Sequence, residues 1–119
     1  MAERKGRKNE ALALAKKAQE ILEDKKGEDI LLLDVKKSGV ADYFLLVSGT
    51  SAPHLKAMAD EVQYVLKHAG IPCYRRAGDQ ESGWIALDYI QVIIHIFSDK
   101  MRHYYSIEDL WTKAPHRSP

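Results

Sequence analysis

Hydrophobic side chains recur at helical spacing in two long segments of the chain. The first predicted helix runs from Glu10 to about Lys26, and Gly27 follows it as a stop signal. The second begins after Ser51 and ends at Gly70. Apolar residues at positions i, i+3, i+4 and i+7 predict that one face of each helix is buried against another layer. These apolar positions are Ala11, Leu14, Ala15, Ala18, Ile21 and Leu22 in the first helix, and Leu55, Met58, Ala59, Val62, Val65, Leu66 and Ala69 in the second.

Short apolar runs outside these helices predict strands. The predicted strands cover residues 29–35, 43–48, 73–76, 84–87 and 92–97, and residues 77–83 are predicted to be a polar loop. The first run, DILLLDV, is continuously apolar between its aspartates, which predicts a strand buried on both faces. The last two strands lie close enough in sequence to form a hairpin that turns at residues 88–91. A last helix is expected to begin near Ser106, which has capping-box spacing to Asp109.

The order of these elements predicts an α/β fold with a single domain. A mixed, roughly five-stranded sheet flanked by helices follows, because each amphipathic helix needs a sheet face on which to bury its apolar stripe. The domain is expected to cover residues 10–114. Residues 1–9, which include Arg4, Lys5, Arg7 and Lys8, are predicted to be a flexible basic arm, and residues 115–119 a frayed tail.

Composition and charge narrow the classes of function. The chain has 119 residues, of which 45% are hydrophobic and 29% charged, as in ordinary globular proteins. A net charge of +1 disfavours a general nucleic-acid binder, which normally carries a clear basic surplus. The sequence has neither an apolar run long enough to span a membrane nor the apolar segment of a signal peptide, so we expect a cytoplasmic protein without a membrane partner.

The sequence predicts no metal site, no cofactor and no catalytic residue. Its histidines lack both the i, i+4 pairing of a zinc helix and any Cys-x-x-Cys partner, since Cys73 is the only cysteine. His95, inside the apolar run VIIHIF, is interpreted as a hydrogen-bonded core or sheet-face residue. Backbone N–H groups of residues 48–51, at a strand–helix junction, could cradle a phosphate, and this junction resembles that of nucleotidyltransferases. Those enzymes also need two carboxylates alternating on a neighbouring strand, which the sequence does not offer.

Aromatic and charged residues are concentrated in the C-terminal half. They are Trp84, Asp88, Tyr89, Arg102, His103, Tyr104, Tyr105 and Trp111. Aromatic residues together with arginine are typical of binding hot spots, although some of these aromatics can equally complete the core. Trp111, on the predicted last helix, is interpreted as a core residue. Trp84, Ala86 and Asp88 are expected to share one strand face because side chains alternate along a strand.

Two blocks of motifs resemble the ribosomal silencing factor family, also called the Iojap family. The first block comprises residues 41–44 (ADYF), 48–51 (SGTS), His54 and 59–62 (ADEV), and the second comprises Trp84, residues 87–89 (LDY), 92–97 (VIIHIF), Arg102, residues 104–105 and 110–111. The resemblance implies a compact domain similar to the nucleotidyltransferase fold that is not an enzyme. It implies binding to the large ribosomal subunit through its ribosomal protein fourteen, which blocks joining of the small subunit and represses translation. A role in large-subunit assembly is the alternative that organelle members suggest.

The resemblance also implies where the partner binds. The family's binding surface is similar in position to Trp84, Asp88 and Tyr89, with Arg102, Tyr104 and Tyr105 nearby, and a homodimer is implied as well. One departure is that the family turn usually reads Asp-Tyr-Gly-Asp, whereas this chain has Ile90 and Gln91 after Tyr89. Ile90 is expected to fit poorly where glycine turns the chain with positive φ.

Two other functions remain open at this point. One is a residual nucleotidyltransferase-like enzyme that uses residues 49–51. The other is an RNA-binding module that uses the basic arm with Arg75 and Arg76, which the near-zero net charge disfavours. No direct, specific nucleic-acid partner is therefore expected.

Overall fold

A computed structural model describes the backbone of residues 2–109 and the side chains of residues 10–109. The elements in chain order are α1 (Ala2–Asp24), β1 (Glu28–Asp34), a short 3₁₀ helix (Lys36–Ser38), β2 (Tyr43–Gly49), α2 (Ala52–His68), β3 (Arg75–Asp79), β4 (Trp84–Asp88), β5 (Val92–Ser98) and α3 (Asp99–Tyr105). Residues 107–109 begin a further helical turn. The predicted core residue Trp111 and the predicted tail at 115–119 lie outside the described residues.

The strands form one five-stranded sheet in the order β1-β2-β5-β4-β3. β2 and β5 pair in parallel, and the other neighbours are antiparallel, so the sheet is mixed as predicted. The predicted hairpin between β4 and β5 is confirmed, and β3 forms a second hairpin with β4. β3 is therefore the outer strand beside β4.

The two long helices cover one face of the sheet. The buried faces of α1 and α2 pack together and against alternate residues of β2, β4 and β5, such as Leu45, Ile85 and Ile94. The opposite sheet face carries a smaller cluster that includes Phe44, Leu46 and Phe97. Met101 of α3 and the partly buried Trp84 pack against this second cluster. The two faces of β4 therefore belong to different layers.

Four features of the helices and strands differ from the sequence-based predictions. The backbone of α1 is helical from Ala2, whereas the apolar pattern predicts a start at Glu10. β1 is an edge strand with exposed Glu28 and Asp29 and only partly buried central residues, so the prediction of burial on both faces is wrong. β3 extends to Asp79, so the first three residues of the predicted loop are strand.

The fourth difference is α3, which the apolar pattern does not predict. Ser98 starts this helix, because its Oγ accepts a hydrogen bond from the N–H of Met101. Ser106 ends α3 with a φ of 48°, and the further helical turn begins directly after it at residue 107, where the last helix is predicted. The Ser106 hydroxyl donates to the carbonyl of His103 and so does not act as the expected cap. Ser98 followed by Asp99 is the sequence signal that announces this helix.

The turn between β4 and β5 places Ile90 in a left-handed conformation. Its φ is 73°, and the Tyr89 N–H donates to the carbonyl of Val92 across the turn at 2.9 Å. The Gln91 N–H donates to the carbonyl of Tyr89 at 2.8 Å, which closes a three-residue γ-turn centred on Ile90. A β-branched residue is strained in this conformation by about 1–2 kcal/mol. The structure therefore confirms the expected poor fit of Ile90, because this β-branched residue has a positive φ.

Replacing Ile90 with glycine is expected to raise the free energy of unfolding by about 1 kcal/mol. The gain from relieved strain exceeds the cost of the greater freedom that glycine has in the unfolded chain, about 0.4–1 kcal/mol. The exposed side chain of Ile90 contributes little packing that could be lost. Urea unfolding at pH 7 measures the change. The Ile90→Ala variant is the control, because it removes the branched side chain but keeps the disfavoured φ. Equal stabilities of the two variants would contradict this account.

Candidate partner-binding surface

Three aromatic side chains meet at the start of β4. The ring of Trp84 lies 4.3 Å from the ring of Tyr105 at the end of α3, and the Tyr105 ring lies 5.0 Å from that of Tyr104. Tyr104 is 75% exposed, Tyr105 is 43% exposed and Trp84 is partly exposed. These three residues, here called the aromatic patch, combine accessible apolar area with polar edges, as binding hot spots do.

A shallow groove of about 220 Å³ adjoins this aromatic patch. Its lining comprises Ala77, Gly78, Ser82, Trp84, Ala86 and Tyr105. The groove exists because β3 and β4 carry small residues next to Trp84. Gly78 has a φ of 76°, and a Cβ there would stand 2.1 Å from the carbonyl oxygen of Trp84, so the two strands can approach closely only with glycine at this position.

Two residues of β5, His95 and Phe97, contact Trp84 and hold it in place. Its Nε1–H donates a hydrogen bond to Nδ1 of His95 at 3.1 Å, and its ring lies 5.1 Å from that of Phe97. His95 is only 7% exposed, and burial lowers its pKa to about 4, so the imidazole is neutral at pH 7. The prediction that His95 is a hydrogen-bonded sheet-face residue is confirmed.

Asp88 shares the face of Trp84 but lies at the other end of β4, as the burial alternation of the strand shows. Four residues of strand separate the two, about 13 Å. One carboxylate oxygen of Asp88 accepts the N–H of Ile90 at 2.7 Å, so this side chain also stabilises the strained turn. Asp88 remains partly exposed and can reach a partner from the edge of the surface.

Tyr89 and Arg102 are not on the surface that Trp84 shares with Tyr104 and Tyr105. Tyr89 is 6% exposed and packs in the layer of α1 and α2, where burial raises the pKa of its hydroxyl. Arg102 is 7% exposed; its Nε donates to Glu108 at 3.0 Å, and its Nη1 donates to Oγ of Ser48 at 3.0 Å. These contacts tie α3 to β2 and position Tyr104 and Tyr105. The predicted site is therefore divided into an exposed group and two buried residues.

At the strand–helix junction of residues 48–51, backbone N–H groups make hydrogen bonds to neighbouring side chains of the chain itself. The Thr50 N–H donates to Nδ1 of His54, and the His54 N–H donates to Oγ of Ser51, which caps α2. The cavity beside this junction, about 640 Å³, is lined by three acidic residues, Glu28, Glu81 and Asp99, and by one basic residue, Lys100. The bonded N–H groups of Thr50 and His54 and the excess of acidic side chains both disfavour a phosphate at this position.

The described residues show no other arrangement typical of a reactive site. Residues 10–109 contain no cluster of three or more His, Cys, Asp or Glu side chains that could hold a metal ion. Cys73 is half-buried, and burial raises the pKa of its thiol, which makes the reactive thiolate scarce at pH 7. No helix among the described residues is long and apolar enough to cross a membrane.

Sequence reasoning missed the groove beside the aromatic patch. The small residues Ala77, Gly78 and Ser82 read as a polar loop, because the segment AGDQESG lacks the alternating pattern of a strand. Its pairing with β4 depends on a tertiary contact that no local pattern reports. The one local signal for a close approach of two backbones is Gly78, which lies two residues after the predicted end of the strand at residue 76.

Comparison with known proteins places these features in context. A family model described as ribosomal silencing factor during starvation matches residues 8–119. The ribosomal silencing factor RsfS of Bacillus subtilis is 38% identical over 104 residues, which cover 87% of this chain and 88% of that protein. A crystal structure of a Chromobacterium violaceum protein superposes with a TM-score of 0.80 at 36% identity and covers 84% of each chain. The mouse protein named mitochondrial assembly of ribosomal large subunit protein 1 is 30% identical over 77% of this chain and 42% of its own length.

Proposed function

The chain belongs to the ribosomal silencing factor family, and from this membership we propose that it binds the large ribosomal subunit in the cytoplasm and blocks joining of the small subunit. Ribosomal protein fourteen is the proposed contact, and steric exclusion is the proposed mechanism. Translation is repressed because a large subunit that carries this domain on its inter-subunit face cannot form a complete ribosome. The names of the bacterial relatives support the general role.

The observation that carries this proposal is the exposed aromatic patch beside an apolar groove. Trp84 and Tyr105 form two sides of a concave surface that can accept a side chain of the partner. Both rings have partners within the chain, Trp84 a hydrogen bond to His95 and Tyr105 ring contacts with Trp84 and Phe97, which lowers the conformational entropy lost on binding. A protein interface of about 1,200–2,000 Å² centred on this aromatic patch is sufficient for stable binding.

The charge around the aromatic patch suits a basic partner. Ser82 lines both the apolar groove and the neighbouring cavity, where Glu28, Glu81 and Asp99 outnumber the one basic residue, Lys100. Asp88 adds a carboxylate at the far end of β4. Acidic groups around an apolar centre increase the rate of association with a positively charged surface and exclude negatively charged ones. This arrangement favours a basic protein over the phosphate backbone of RNA.

Two measurements test the proposal. Sedimentation with purified subunits is expected to place the protein with the large subunit and not with the small subunit. Light scattering during subunit mixing is expected to show fewer complete ribosomes as the protein concentration rises. Order of addition supplies the control, because steric exclusion requires that the protein act before the subunits join. Binding to the small subunit, or unchanged joining at saturating protein, would contradict the mechanism.

A role in assembly of the large subunit is the second candidate, and the name of the mouse relative favours it. The same surface would then bind a precursor rather than a mature subunit. Sedimentation against precursor and mature large subunits separates the two roles. A strong preference for the precursor supports assembly, whereas equal binding with blocked joining supports silencing.

A residual nucleotidyltransferase activity is disfavoured by the junction at residues 48–51. We expect no nucleotidyl transfer from any nucleoside triphosphate with Mg²⁺, because the Thr50 N–H is already bonded to His54 and the adjacent cavity has three acidic residues against one lysine. Incubation with radiolabelled triphosphates, followed by product separation, checks this. A matched incubation without Mg²⁺ gives the background, and turnover that depends on the metal and on Asp88 would restore the enzyme hypothesis.

A further inference from the structure

His95 has a defined tautomer in the structure. The Trp84 Nε1–H can only donate, so Nδ1 of His95 must accept and carry no proton. The single proton of the neutral ring is then on Nε2. Lowering of the pKa of His95 by burial agrees with this neutral form. The histidine therefore presents a fixed acceptor to Trp84 and a fixed donor on its opposite side.

The donor on the opposite side has no partner. Nε2 of His95 is buried and makes no hydrogen bond to any described residue. Apolar rings pack against the imidazole: its ring centroid lies 4.8 Å from that of Phe44, which is edge-on, and 6.0 Å from that of Phe97, which is stacked. A buried unpaired N–H is destabilising. An apolar side chain at this position of VIIHIF would avoid the penalty, so packing alone does not account for histidine here.

We propose that His95 is a positioning residue for partner binding, which fixes the indole ring of Trp84 in the direction that closes the apolar groove with Tyr105. The hydrogen bond to Nδ1 selects one rotation of the indole plane. Without this acceptor, the partly exposed Trp84 can turn its N–H toward water and uncover the groove. The inference rests on the proposed function, since it concerns the same surface.

Two substitutions at position 95 separate positioning from packing. In His95→Asn, the amide oxygen is attached to Cγ as Nδ1 is, so the acceptor for Trp84 is retained. In His95→Leu, the acceptor is lost and the position stays filled. We expect His95→Leu to weaken binding to large subunits by about tenfold and His95→Asn to retain most of the affinity. The indole ¹H–¹⁵N resonance of Trp84 is expected to move in the leucine variant and to stay near its wild-type position in the asparagine variant.

Trp84→Phe completes the test, because phenylalanine keeps an aromatic ring but has no N–H. In that background, His95→Leu is expected to have no further effect on affinity. An equal loss of affinity with Trp84 and with Phe at position 84 would overturn the proposal. So would an unchanged affinity in His95→Leu when Trp84→Ala reduces it.

A measurement on the wild-type protein covers the case in which a variant does not fold. The ¹⁵N shifts of the His95 ring must show an unprotonated Nδ1 and a protonated Nε2, and the opposite tautomer overturns the proposal. If the wild-type protein fails to sediment with large subunits, the proposed function is wrong. If it sediments and Trp84→Ala reduces binding while the tautomer is reversed, only the role of His95 is wrong.

Discussion

Replacing Trp84 with alanine is expected to weaken binding to large ribosomal subunits about 30-fold or more, a loss of about 2 kcal/mol. Trp84 forms one side of the apolar groove and contacts Tyr105, so its removal both opens the groove and leaves Tyr105 without its neighbour. A central aromatic residue that is largely desolvated on binding contributes more than residues at the rim. Sedimentation over a range of protein concentrations measures the affinity.

A control is needed because Trp84 also packs against Phe97. We expect Trp84→Ala to lower the free energy of unfolding, but to leave the protein folded, since the indole is only partly buried. Thermal unfolding of the variant checks this. Tyr64→Ala is the matched control for binding, because Tyr64 is an exposed aromatic residue on α2, which covers the opposite sheet face. Equal affinities of the two variants would place the interface elsewhere.

Asp88→Ala is expected to have a smaller effect than Trp84→Ala. Asp88 lies at the far end of β4, where a charge contributes mainly to the rate of association. The variant also loses the hydrogen bond to the Ile90 N–H, so part of its effect is on the turn itself. Asp88→Asn keeps an acceptor for that N–H, and the difference between the two variants reports the charge.

The architecture was predictable because its signals are local. Both long helices follow from apolar residues at helical spacing, and both central strands, β2 and β5, from short apolar runs. The apolar pattern does not predict α3 because this helix has only seven residues, too few for apolar positions to repeat over several turns. The apolar run between the two aspartates of β1 predicts burial on both faces, but β1 is an edge strand. Its edge position depends on how the sheet is ordered, which the composition of one strand does not encode.

The candidate site was predictable only in part, for a related reason. Trp84 and Asp88 on one strand face follow from the alternation of side chains. Whether an aromatic residue faces solvent depends on what covers it. Tyr89 follows Asp88 directly, yet alternation turns its side chain into the layer of the long helices. Arg102 is buried because Glu108 and Ser48 offer it partners, one of them far away in sequence. The contact between Trp84 and His95 likewise depends on the register between β4 and β5.

The burial of His95 beneath Trp84 also makes the stability of the protein depend on pH between about 6.5 and 4. The ordinary pKa of histidine is 6.5, and burial lowers that of His95 to about 4 in the folded protein. The unfolded chain therefore binds a proton at this residue more readily than the folded one. The stabilising contribution of neutral His95 is fully present above pH 6.5. It is lost progressively as the pH falls from 6.5 toward 4, and no further loss from this group follows below that value.

We expect this loss to amount to about 3 kcal/mol of unfolding free energy between pH 7 and pH 4. Protonation places a hydrogen on Nδ1, which then faces the Nε1–H of Trp84 as a second donor, so the hydrogen bond is lost together with the neutral ring.

Urea unfolding at a series of pH values measures the effect. His95→Asn is the control, because it keeps an acceptor for Trp84 and does not titrate. The carboxylates of Asp34 and Asp60, whose pKa values are lowered by hydrogen bonds from Lys36 and Lys56, titrate alike in both proteins and cancel in the comparison. The wild-type protein should therefore lose more stability than His95→Asn on acidification. Parallel pH profiles would show that folding does not lower the pKa of His95.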